Sequence, residues 1–142
     1  MEELVGNMVM VHPNLATDPA NRQGQIGIIT SSDLKKDEVY VGFGTNALGL
    51  YSTDALLVLK PHNEIYKDLL LNVKNMPTPD FKTLMEITIN QEKGFVNAYR
   101  DALELASTND NVLARSTVSL QEKLGIATGE DLDAKHRTGL GR

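Results

Sequence analysis

The hydrophobic period of this chain changes near Lys60-Pro61, and that change limits the folds open to it. Up to Lys60 the apolar residues alternate and glycines interrupt them; beyond Pro61 they recur three and four residues apart. Alternation buries one face of a strand, whereas the longer period buries one stripe of a helix. The reading is therefore α+β: a β unit over about 1–60, a helical unit of three or four helices over about 61–127, and a polar tail over 128–142. With 142 residues, 41% of them hydrophobic, the chain can fill one sizeable core or two small ones. A β unit of about 60 residues is near the lower limit for folding alone, so it is expected to lean on the helices.

Within the β unit, Val5 to Val11 reads as a first strand. His12 to Gln23 is a long polar loop rich in turn formers, among them Pro13, Asn14, Asp18, Pro19 and Asn21. Gly24 to Thr30 is a glycine-interrupted strand, and Ser31 to Asp37 a turn with Lys35 and Lys36 at its tip. Glu38 to Phe43 alternates, with Val39, Val41 and Phe43 on one face and Glu38, Tyr40 and Gly42 on the other. A tight turn over 44–47 returns the chain through Leu48-Gly49-Leu50-Tyr51, and Ser52-Thr53-Asp54 leads into a last strand over 55–59.

The spacing Gly24-x-x-Gly27-x-Ile29, then Val39-Val41-Phe43, Tyr51 and the closing Asp54-x-Leu56-x-x-Leu59, resembles an SH3-like small β-barrel of the KOW type over roughly residues 4–60. The resemblance implies a closed barrel that binds RNA, DNA, peptides or neighbouring domains, and binding over catalysis. Short glycine-bent strands can curve enough to close, and closure would protect the edges of a small sheet.

In the second unit, Ile65, Leu69 and Val73 predict a helix over about 63–75, ended by Pro77-Thr78-Pro79. Phe81, Leu84, Met85 and Thr88 begin another stripe, which resumes after Gly94 with Phe95, Tyr99, Ala102, Leu103 and Ala106. Two helices broken at Gly94 or one long helix both fit; the favoured reading is one long or kinked element over about 79–107. Ala98 to Ala106 looks like half of a tetratricopeptide repeat, but no 34-residue recurrence accompanies it, so ordinary amphipathic packing is the reading. After a cap-rich turn over 107–111, Leu113, Thr117, Leu120 and Leu124 predict a final helix over about 111–124, stopped by Gly125-Ile126.

The charges exclude some functions. The formal net charge is −5, with four basic side chains against seven acidic in residues 1–60 and ten against twelve in 61–142. Neither part has the basic excess that neutralises phosphates, which disfavours nucleic acid as a partner. The absence of cysteine rules out disulfides, thiolate nucleophiles and cysteine-ligated metals. The opening MEELVGNMVMV lacks the basic-then-apolar order of a secretory leader, and no apolar run approaches the ~20 residues of a membrane span, so a cytoplasmic protein with no membrane partner is expected.

No motif supplies a reactive centre. Gly42-x-Gly44-x-x-Ala47 mimics a dinucleotide fingerprint, yet a strand follows it where a helix is required. His12, His62 and His136 lie apart, without ligand spacing. Glu130, Asp131 and Asp133 lack the closing acid of a calcium loop. No serine sits in a nucleophile elbow. No catalytic, cofactor or metal residue is assigned.

The expected function is thus non-enzymatic: a protein-interaction or assembly module, a subunit of a larger complex, binding a protein partner or itself. The loop His12–Gln23, the barrel rim and the tail are its expected contact surfaces. Candidate partner contacts are Leu48, Leu50 and Tyr51, which read either as core or as an exposed strip. The alternative is a nucleic-acid-associated accessory protein using the barrel. Its candidate contacts are Arg22, Lys35, Lys36 and Tyr40, which read otherwise as solvated loop tips with a neighbouring ring.

Overall fold

A computed structural model of the chain describes residues 4–16, 18, 21–44 and 47–125. The tail 128–142, Ile126 and the histidine and acids of that tail lie outside the described residues.

Among the described residues, six strands form one sheet: β1 Met8–Val11, β2 Ile26–Asp33, β3 Glu38–Gly42, β4 Leu48–Tyr51, β5 Leu56–Leu59 and β6 Thr117–Ser119. Their order is β4-β3-β2-β1-β5-β6, and every neighbouring pair is antiparallel. The expected SH3-like barrel is corrected by this order. The sheet is open, with β4 at one edge and β6 at the other. The second edge of β5, which closure needs, is taken by β6, where Leu57, Val58 and Leu59 pair with Ser119, Val118 and Thr117. A register shift between Ile29 and Ser31 puts a bulge in the long β2.

Five helices follow the first five strands: α1 His62–Asn72, α2 Thr78–Lys93, α3 Val96–Ala106, α4 Asp110–Ser116 and α5 Leu120–Leu124. The long element expected over 79–107 is two helices. Gly94 takes the left-handed conformation, φ 76°, its N–H bonds to the Gln91 carbonyl, and Phe95 is extended before α3 begins. The single helix expected over 111–124 is also corrected, to α4, β6 and α5. Ser116 and Thr117 hydroxyls donate back to the carbonyls of Val112 and Leu113, each at 2.7 Å, where α4 ends. β-branched Thr117 and Val118 then extend against β5, and Ser119 restarts a helix by accepting from the Glu122 N–H at 3.0 Å.

The sheet has two working faces. Met10, Leu57 and Leu59 point to a core shared with Ile65, Leu69, Leu84, Ile87, Leu103 and others from the helices. Val9, Val11, Ile29, Val39, Val41, Tyr51, Leu56 and Val58 fill a second core on the other face, closed by Leu4 and by Leu120 of α5. The boundary at Lys60 therefore marks a change of element type, and β6 and α5 return to complete the sheet and its second core.

Polar side chains tie the helices together. Arg115 of α4 donates to both carboxylate oxygens of Asp68 of α1, at 2.8 and 3.0 Å, and Asn72 donates to the same group at 2.7 Å. Asp80, buried in the first turn of α2, accepts from the Asn109 and Asn111 amides at 2.9 and 2.8 Å. Those two donors, Asn109 first, hold its carboxyl below the ordinary aspartate range, against the opposing effect of burial.

Leu69 is fully buried where α1 meets the helical core. Leu69→Ala is expected to cost about 2–5 kcal/mol in urea unfolding, from lost burial plus the cavity left behind. Asp80 has a depressed folded-state pKa, so its contribution is present above the unfolded value of 3.8 and disappears as pH falls through the folded one. Asp80→Asn should accordingly lower the thermal midpoint at pH 7 and shrink the loss of stability the native chain shows on acidification, followed by circular dichroism between about pH 2 and 7.

Candidate functional site

The helices cover one face of the sheet only in part. On that face Met8 and Ile26 pack against the helical core together with Met10, Leu57 and Leu59. The same face continues across β2, β3 and β4 beyond the helices. There Ile28 pairs with Gly42 and Gly42 with Leu48, while Tyr40 pairs with Leu50 in the next row. Strand side chains alternate, so these residues share the side opposite Val39, Val41 and Tyr51. All four large ones reach solvent: Leu48 is 60% exposed, Leu50 48%, Ile28 40% and Tyr40 37%.

This uncovered half carries an aromatic ring and three aliphatic side chains, with no charged residue among its paired rows. Glu38, the preceding residue on that side of β3, stands at its margin. β4 bounds the face and is an open edge. The strand reads Leu-Gly-Leu-Tyr, without the lysine, proline or inward charge that commonly blunts such an edge. The turn before it bonds the Phe43 N–H to the Ala47 carbonyl at 2.9 Å. Antiparallel ladders alternate, so Gly49 and Tyr51 also turn their backbone groups toward β3, and those of Leu48 and Leu50 face outward.

Tyr51, grouped with Leu48 and Leu50 as a candidate contact, is buried on the opposite face and is corrected to a core residue, because strand side chains alternate. Its ring lies beneath Gly49, where an added Cβ would stand 2.5 Å from the Tyr51 Cε2. Its hydroxyl donates to Asp18 Oδ2 at 2.9 Å, and the Arg22 N–H donates to the same oxygen at 2.9 Å. Burial first, then the hydrogen bond to Asp18 and its charge, pushes the Tyr51 hydroxyl well above the ordinary tyrosine pKa. Phe43 meets Tyr51 edge-on, with centroids 6.2 Å apart, and the Arg22 guanidinium lies 5.3 Å above the Phe43 ring. These contacts hold part of the loop His12–Gln23 against the last residues of the β3–β4 hairpin.

The cationic candidates do not converge. Arg22 sits beside Phe43, past the end of β3, and also donates to Gln25 Oε1 at 3.2 Å. Lys35 and Lys36 are exposed in the turn before β3, at its other end. A five-residue strand separates them, on the order of 16 Å. Tyr40 belongs to the apolar face and lies opposite Leu50.

Other concavities lie away from this face. One, of about 400 Å³, is lined chiefly by Leu4, Met8, Val58, Val96, Leu120 and Leu124, with Lys123 beside them. Another, of about 470 Å³, is lined in part by His12, Asp54, Asp110 and Glu122. Among the described residues, no group of three histidines or acids is placed to hold a metal ion, and no helix is long and apolar enough to cross a membrane.

Ile28 is the member of the apolar face that sequence reasoning did not single out. The adjacent pair Ile28-Ile29 must point to opposite sides of its strand, which is a signal that one of them leaves the core. Comparison of the chain with protein-family models, with curated proteins and with solved structures gives no match.

Tyr51→Phe removes the hydroxyl that Asp18 accepts from. The expected result is a loss of about 1 kcal/mol in chemical denaturation, with the sheet intact by circular dichroism.

Proposed function

We propose that the protein is a non-enzymatic interaction or assembly module that docks a protein surface on the uncovered half of its sheet. The supporting observation is the juxtaposition of Ile28, Tyr40, Leu48 and Leu50, all exposed, on a face bounded by the open edge of β4. Water exclusion from such a face is favourable at roughly 25 cal/mol per Å² of apolar area. The edge adds directional backbone hydrogen bonds, which set the register of a docked strand. An isolated exposed leucine carries no such meaning; the argument rests on contiguity across neighbouring strands.

The nucleic-acid alternative has less support. The separated cations Arg22 and Lys35-Lys36 do not form one basic track, and Arg22 is engaged with Phe43, Gln25 and Asp18. The uncovered face offers Tyr40 as a stacking ring but no cation in its paired rows.

The test is a chain carrying Leu48→Lys together with Leu50→Lys. Both residues are exposed, so the fold is expected to survive with less than about 1 kcal/mol lost. Association, measured as self-association by sedimentation and as partner retention on immobilised full-length chain, should fall at least tenfold. Unchanged association in both measurements would refute the proposal.

A further inference from the structure

We infer that the concavity of about 400 Å³ between α3 and α5 binds a small aliphatic monocarboxylate, an alkyl chain of medium length carrying one anionic head. This site is separate from the uncovered half of the sheet, none of whose exposed residues lines it, and it does not depend on the docking reading.

The concavity lies at the seam between the two cores. Met8 and Tyr99 pack on the core shared with the helices, whereas Leu4, Val58, Leu120 and Leu124 belong to the core on the other face of the sheet. Separate segments hold these walls. Gly6, left-handed at φ 92°, turns the chain ahead of β1. Its N–H donates to the Ile29 carbonyl at 2.8 Å, and the Ile29 N–H donates to the Asn7 carbonyl at 2.9 Å. Leu4, just before that turn, is buried, as are Val58 of β5 and Leu120 of α5. Exposed Val96, the first residue of α3, forms the lip. An apolar hollow of this size, built from rigid elements, falls within the roughly 300–1,000 Å³ of small-molecule sites.

Its one charge selects the ligand. Lys123 is the single charged residue lining the hollow, and among the described residues it enters no ion pair. Helical spacing puts it there: Leu120, Lys123 and Leu124 stand three and four positions apart and share one side of α5. Glu122 turns instead to the concavity that holds Asp54 and Asp110. The short helix thereby separates a positive apolar hollow from a negative one, in a chain whose formal charge is −5. An ammonium head would meet Lys123 as a like charge. A second anionic group on the ligand would be stranded against leucine and valine walls, where no polar partner compensates its desolvation. One carboxylate at the rim pairs with Lys123 while the chain behind it leaves water along the floor. The Tyr99 hydroxyl is engaged by the Leu59 backbone, so its ring serves as one wall. No second ring lines the hollow to sandwich an aromatic ligand, and the remaining apolar walls are aliphatic.

The test titrates decanoate into the full-length chain carrying isotope-labelled methyl groups, followed by NMR. The expected result is saturable movement of the Leu4, Val58, Val96 and Leu120 methyls with a Kd between about 10 µM and 1 mM, while those of Leu48 and Leu50 stay in place. Decanol supplies the same chain without the charge. Lys123→Glu alters an exposed side chain and is expected to weaken decanoate at least about fivefold more than decanol. Val96→Asp, at the exposed lip, should weaken both ligands by at least about fivefold. Absence of saturable shifts up to about 5 mM decanoate overturns the inference, and so does binding that moves Leu48 and Leu50 instead. Equal losses for decanoate and decanol in the Lys123→Glu chain overturn it as well, as does decyltrimethylammonium bound as tightly as decanoate.

Discussion

β5 is buried on both sides, and the rest of the molecule is arranged around that requirement. Leu57 and Leu59 enter the core shared with the helices, while Leu56 and Val58 enter the core beneath the sheet. A strand with no polar face needs cover on each side and a partner on each edge. β1 supplies one edge, β6 the other. The helical layer supplies the first cover; α5, with Leu120, contributes to the second. This one strand makes the sheet and helices a single folding problem, although the hydrophobic period divides them cleanly at Lys60.

The same arrangement explains why part of the sheet is left bare. Helices bound to β5 and β1 lie over that side, where Gln91 Nε2 also donates to the Lys60 carbonyl at 2.8 Å. The polar links Asp68–Arg115 and Asp80 with Asn109 and Asn111 bind the helices to one another. Among the described residues, nothing comparable draws them across β3 and β4. Those strands keep one well-packed face, built on Val39, Val41 and Tyr51, and one face open to solvent.

Local alternation made β3 legible, since Val39 and Val41 must share a side, and turn-forming residues located the hairpin that precedes it. Which side of β4 would be covered was not legible, because that depends on how far a distant helical layer extends. Leu48 and Leu50 consequently remained open between core and surface. The region 110–124 misled for a different reason. Leu113, Thr117, Leu120 and Leu124 keep helical spacing, but Leu113 serves one core and Leu120 the other, with an extended segment between them. The capping pair Ser119 and Glu122, spaced as a helix start in mid-segment, was the local sign of the break. The barrel expectation failed on a non-local fact: residues some sixty positions downstream of β5 occupy the edge that closure would have used.

That long return has a consequence for synthesis. β5 leaves the ribosome well before β6, and until Ser119 has emerged its outer edge has no antiparallel neighbour. During that interval the nascent chain presents an apolar strand with unpaired backbone groups, the state most prone to wrong pairing. Native assembly is therefore completed late, by three residues whose arrival closes the longest loop in the sheet.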